Sequence, residues 1–158
     1  MQLSTILNEV LPTKTVQKKF PYRPRLTEIR KCYRIINDEL FDSCLVMPKF
    51  EIKPRMKLIL GLCSAVGYSK PNKSGCVITL RDKWYCKQWM IMALAHEMVH
   101  QYQWDILGIE RKSIGKVPLM SHGPSFYLFR KRFNLYGIPL KRVHCRTHWF
   151  KHQNLLKC

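Results

Sequence analysis

The chain has 158 residues, enough for one domain with a real core and too few for two full ones. Lys and Arg total 28 against 10 acids, a formal net charge of +18; this is far more than solubility calls for, and such a field attracts polyanions, nucleic acid first. The longest apolar run, around Leu58 to Tyr68, is too short to span a bilayer, no signal-peptide pattern follows Met1, and the seven cysteines form no Cys-x-x-Cys pair. These features argue against a membrane-spanning or disulfide-stapled secreted protein and for a soluble intracellular one with buried thiols.

Residues 1 to 25 carry Lys14, Lys18, Lys19, Arg23 and Arg25 against Glu9 alone and are broken by Pro12, Pro21 and Pro24. They read as a basic arm with a short helix at its start. From Thr27, taken as an N-cap, Ile29, Tyr33, Ile36 and Leu40 recur at helical spacing to about Phe41, with Arg30, Lys31 and Arg34 on the outer face. Pro48 and Pro54 bracket a short strand, Phe50 to Lys53; Leu58 to Val66 is a second strand interrupted by Gly61; the turn at 71–75 leads to a third, Cys76 to Leu80, rich in β-branched residues. Asp82 or a neighbour starts a helix over Tyr85 to Trp104, whose Trp89, Met92, Leu94, Ala95 and Val99 supply buried surface. A long loop with Gly108, Gly115 and Pro118 reaches Ser121-His122-Gly123-Pro124, Pro124 opens a helix over Ser125 to Leu135, and Gly137-Ile138-Pro139 ends it. The order helix, three strands, helix, helix predicts an α+β domain over 26–137 with a basic tail over 138–158.

Within the helix predicted over Tyr85 to Trp104, residues 96 to 100 read His96-Glu97-Met98-Val99-His100. On a helix the two imidazoles lie about 40° apart around the axis and one turn on, so both can ligate one zinc ion, and Glu97, about 100° from His96, is placed to take a proton from a metal-bound water. A catalytic zinc takes three protein ligands as a rule. The metzincin arrangement is excluded because Gln103 and Ile106 stand where it needs Gly and His. A later glutamate is nearly excluded, since Asp105 and Glu110 are the last carboxylates and lie too near the motif. Histidine must serve, and His122, at a loop-to-helix junction, is the best choice.

Several segments together resemble the SprT-like (Spartan-type) metallopeptidase domain. They are Ile35-Ile36-Asn37-Asp38-Glu39-Leu40-Phe41, the turn Leu45-Val46-Met47-Pro48, the glycine-containing second strand, the HEMVHQYQ segment and His122-Gly123-Pro124-x-Phe126, spanning roughly residues 27 to 135. The resemblance implies a zincin-like, minimal gluzincin-type fold, with a small three-stranded sheet packed on the active-site helix. It further implies zinc on His96, His100 and His122, Glu97 as catalytic base, and proteolysis of DNA-bound or DNA-crosslinked proteins. The chain departs from the family pattern in lacking the paired Cys-x-x-Cys zinc ribbon of many bacterial members and the long partner-binding tail of eukaryotic ones.

The expected chemistry is hydrolysis: zinc on three neutral histidines lowers the pKa of bound water and polarises a peptide carbonyl, while Glu97 shuttles the proton to the leaving amine. Strand Cys76 to Leu80 is expected beside the cleft as an edge strand that pairs with an extended substrate. Lys18, Lys19, Arg130, Lys131, Arg132, Lys141, Arg142, Arg146, Trp149 and Lys151 are the candidate contacts to single-stranded or duplex DNA, Trp149 by stacking on an unpaired base; packing of Trp149 and Phe150 onto the domain is the alternative. A second zinc site among His144, Cys145, His148, His152 and Cys158 lacks ligand pairs at structural spacing. Asn37 and Phe41 are read as cap and core residues, Tyr102 as a residue able to face the cleft, and the protein as a monomer. A non-catalytic module retaining the fold is the competing reading, against which an intact Glu97 counts.

Overall fold

The computed structural model describes residues 2–8, 22–54, 56, 59–84, 86–109, 117–119 and 121–142. Its elements are α1 (Leu3–Asn8), α2 (Leu26–Leu40), β1 (Lys49–Lys53), β2 (Gly61–Ala65), β3 (Cys76–Arg81), α3 (Lys87–Asp105), β4 (Val117–Pro118), α4 (Pro124–Tyr127) and α5 (Arg130–Leu135). This is the expected mixture of helices and a small sheet, with α3 packed across β2 and β3 and touching α1, α2 and α4.

The sheet order is β1-β3-β2-β4, with β1 parallel and β2 antiparallel to β3. Three strands were expected; the fourth is a two-residue addition that pairs antiparallel with β2 at Ser64 and Ala65. More consequentially, β3 is not an edge strand. It is flanked on both sides, and Cys76 to Leu80 are all buried. A continuous apolar, β-branched run is the pattern of a strand covered on both faces, so the composition that made β3 easy to find also marks it as central. The strand that meets the motif glutamate is β2.

Helix α2 begins two residues earlier than Thr27 as N-cap would have it: Arg25 is the N-cap, with no side-chain cap bond, and its carbonyl accepts from the N–H groups of Glu28 and Ile29. Asp82 likewise caps nothing; it pairs with Arg23 at 3.8 Å, and α3 starts after Cys86. The expected single helix after Pro124 is two short ones, α4 and α5, separated at Leu128 and Phe129. Gly137 at φ +66 terminates the second, as expected.

Helix α3 is the spar of the core. Every residue from Gln88 to Gln101 is buried, so its surroundings are protein on all sides rather than along one stripe. The core also takes in Leu3, Ile6 and Leu7 of α1, and Ile138 and Leu140 beyond α5; it therefore extends past both ends of the 26–137 span. Four of the described cysteines, Cys32, Cys63, Cys76 and Cys86, are buried free thiols as expected, whereas Cys44 is exposed.

Buried polar groups are paired within a network at the C-terminal end of α3. Gln101 Nε2 donates to Val46 O (2.7 Å), Asp105 Oδ2 (3.0 Å) and Ser74 Oγ (3.1 Å), and its Oε1 accepts from Tyr33 OH (3.0 Å). Asp105 also receives the Ser74 hydroxyl and the Gly75 N–H. This clamp ties the β2–β3 hairpin and the turn after α2 to the helix that bears the motif. Asn37, read as a cap, closes that turn through bonds to both the carbonyl and the N–H of Leu45. Phe41 is buried against Phe129 and Phe133, again as expected.

Candidate metal centre

The helical repeat places His96 and His100 one turn apart on α3, both buried. His122 arrives from outside the helix. Gly123 is the N-cap of α4 and Pro124 its first residue, so the chain turns sharply there and holds the preceding imidazole over α3. The three side chains meet: His100 Nε2 lies 3.2 Å from His122 Nε2, which lies 3.3 Å from His96 Nε2. Phe126, fully buried one turn into α4, lies against all three imidazoles with ring centroids 4.7 to 5.0 Å away.

These separations fit a metal ion. Zinc–nitrogen bonds of about 2.0–2.1 Å in tetrahedral geometry put neighbouring ligand nitrogens about 3.3 Å apart. The ligand atoms of the three histidines, all within 4.8 Å of one another, form the one such group among the described residues. The protonation state fits as well. Burial, reinforced by His122, holds the His100 imidazole down at about 4, with the Gln103 bond as a partial counterweight, so the ring is neutral near pH 7 as a metal ligand must be.

Glu97, about 100° around the helix from His96, is directed to β2. Its Oε2 accepts the Cys63 N–H at 2.7 Å. A Cβ at Gly61 would lie 3.0 Å from Glu97 Cγ, 3.1 Å from Oε1 and 3.2 Å from Leu80 Cδ2. The glycine that interrupts the strand pattern is thus what lets β2 approach the carboxylate, and it leaves space beside Oε1. Burial pushes the Glu97 carboxyl up to about 8, opposed by the Cys63 N–H. The motif glutamate is held by one oxygen and carries a high proton affinity.

Two further residues surround the histidines. Gln103, buried, lies 2.9 Å through Oε1 from His100 Nδ1, and its Nε2 donates to Ser125 Oγ at 2.8 Å. Sequence reasoning used Gln103 only to exclude another ligand arrangement and passed over Ser125. The signal available for Gln103 was its i+3 spacing from His100, which puts both on one helix face. For Gly61 it was a glycine inside a strand, a recurrent sign of close approach.

Of the candidate nucleic-acid contacts, Lys131 and Arg142 are exposed and Lys141 is half-buried. Arg130 lies over the Tyr127 ring at 4.2 Å. Arg132 is engaged internally, bonding Leu40 O at 3.0 Å and Asp42 at 2.7 Å. Lys18, Lys19, Arg146, Trp149 and Lys151 lie outside the described residues, as do His144, Cys145, His148, His152 and Cys158. Tyr102 packs with Phe41 and Phe129 in the aromatic cluster behind the helix. The described carboxylates are all occupied: Glu28 by Lys87, Asp38 by Ser43, Glu39 by Tyr136, Asp42 by Arg132, Glu51 by Lys49 and Lys53, Asp82 by Arg23, Asp105 by Ser74, and Glu97 by Cys63. No helix among the described residues is long and apolar enough to cross a membrane. Compared with known proteins, the chain matches no family model and no curated protein.

Proposed function

We propose that the protein is a zinc-dependent endopeptidase of the SprT-like type, with a minimal zincin-like fold, that cleaves proteins bound or crosslinked to DNA. The observation that carries this is the convergence of three imidazole nitrogens at 3.2 and 3.3 Å beside a buried carboxylate held by a strand N–H. A structural zinc site has no use for that carboxylate. When bound, zinc supplies Lewis acidity toward a peptide carbonyl and a lowered pKa for water. His96, His100 and His122 would hold it. Glu97 would be the general base: the Cys63 N–H fixes Oε2, and Oε1, beside the space left at Gly61, is placed to take a proton from the attacking water and return it to the leaving amine. The partners follow from charge. A formal net charge of +18, with the described acids already engaged, favours a polyanion, and DNA-bound proteins are then delivered to a site that reads little of their sequence. The working form is an intracellular monomer that recruits single-stranded or duplex DNA.

The test compares wild type with Glu97→Gln for bound zinc and for cleavage of a DNA-binding protein, with and without single-stranded or duplex DNA. Both proteins should bind about one zinc per chain, and wild type alone should cleave, faster with DNA and more slowly as salt rises. Zinc binding without cleavage by wild type under any DNA condition would reject the peptidase and leave a non-catalytic module of the same fold. Cleavage indifferent to DNA and salt would keep the enzyme and remove the role of the basic surface. His122→Ala should lower zinc occupancy.

A further inference from the structure

The third ligand to the proposed metal comes from a different element than the first two, and something must set α3 and the start of α4 in register to a few tenths of an ångström. The path from His100 to His122 runs through one side chain. His100 Nδ1 is 2.9 Å from Gln103 Oε1, and Gln103 Nε2 is 2.8 Å from Ser125 Oγ, three residues beyond His122. Gln103 is buried, and so is His100. An amide oxygen only accepts, so the contact requires the proton to be on Nδ1. Nε2, the atom directed at His122, then carries the lone pair.

We propose that Gln103 is the positioning residue of the metal centre: by accepting Nδ1–H it fixes His100 in the metal-binding tautomer, and through Ser125 it locks the helix start that carries His122 to α3. The proposal rests on the metal-centre reading above. Leu or Val at 103 would fill the volume but set no tautomer.

The experiment measures zinc affinity by competition with a chromophoric chelator for wild type, Gln103→Leu, Gln103→Glu and Ser125→Ala, each checked for folding by circular dichroism. Loss of an outer partner of a ligating histidine weakens metal binding about 10- to 100-fold. Gln103→Leu should show that loss, and Gln103→Glu, which keeps an acceptor at Nδ1, should recover to within a few-fold of wild type. Ser125→Ala should fall between, and it reads the same path should the leucine variant not fold. Cobalt substitution adds a second signal, with the visible bands of a tetrahedral site weakened or shifted in Gln103→Leu and restored in Gln103→Glu. If the position serves packing alone, Leu will bind zinc as well as Gln does, or Glu will bind as poorly as Leu; either result overturns the proposal. Imidazole ¹⁵N shifts of the metal-free protein separate this from failure of the functional reading. His100 should be the Nδ1–H tautomer in wild type and lose that preference in Gln103→Leu, whether or not the protein is a peptidase.

Discussion

Replacing Gly61 with alanine tests how closely β2 is fitted to the Glu97 carboxylate. The backbone at Gly61 is ordinary strand, so a methyl group there, if it met nothing, would stabilise the protein by about 0.4–1 kcal/mol through the unfolded chain. It meets Glu97 Cγ at 3.0 Å, Oε1 at 3.1 Å and Leu80 Cδ2 at 3.2 Å, each several tenths of an ångström inside the usual carbon contact of about 3.5–4.0 Å. Glu97 has little room to yield, because Oε2 is held by the Cys63 N–H and its helix is buried on every side. Overpacking of this kind costs about 1–3 kcal/mol, which reverses the sign of the substitution. The expected result is a destabilised protein that still binds zinc, since no ligand is touched, with turnover reduced by roughly tenfold through displacement of the base. Urea unfolding of Gly61→Ala, Glu97→Ala and the double variant isolates the contact. Because Glu97→Ala removes two of the three close atoms, the double variant should recover about 1 kcal/mol relative to additivity. Additive penalties, or an alanine variant as stable and active as wild type, would refute the fit of strand to carboxylate.

Gln101→Leu removes a side chain that serves four partners in the clamp on α3 and leaves Ser74 Oγ, Asp105 and the Val46 carbonyl short of donors; urea denaturation should show a loss of about 3–4 kcal/mol. The metal-free protein should become less stable as pH rises from 6.5 to 8. Glu97 is raised to about 8 in the fold, so the native state keeps a proton that the unfolded chain has released, and the slope is worth about 2 kcal/mol over that window. His100, lowered to about 4, acts with the opposite sign but only below its unfolded value near 6.5. Glu97→Gln should flatten the slope in thermal or chemical melts. Among the described cysteines, Cys44 is the exposed one, so Cys44→Ser should remove one rapidly labelled thiol from the native protein in an aromatic disulfide assay at pH 8. Cys32→Ser should leave the rapid count unchanged, because Cys32 is buried and its thiol is pushed up to about 11.

Long, strongly patterned elements were legible. The β-branched run at Cys76 to Leu80 and the apolar stretch around the motif are found within a residue or two of their expected ends, because burial on all sides leaves composition little freedom. His122 was reached from the sequence by elimination, and its place beside His96 and His100 depends on a turn that Gly123 and Pro124 already announce. What could not be read were features set by contacts between distant segments. Thr27 and Asp82 look like caps, but Arg25 and Cys86 take those positions while Asp82 is drawn to Arg23. A two-residue strand containing Pro118 has no periodicity to detect; it is defined by its partner β2, with Leu119 N–H closing onto Cys63 O at 2.9 Å. The central rather than peripheral place of β3 is a fact of pairing order that strand composition hints at and topology decides.

The burial of α3 from Gln88 to Gln101 has a kinetic corollary. Amides along that stretch have no route to water through local fraying, so their deuterium exchange should proceed only by global opening of the molecule. His122 precedes a separate four-residue helix, which fully buried Phe126 and the Gln103–Ser125 bond hold against α3. Two of the three imidazoles thus sit on the slowly exchanging stretch of one helix, and the third reaches them only through the docking of another element. The cluster is therefore complete only in the folded tertiary structure, and helix α3 alone cannot assemble it.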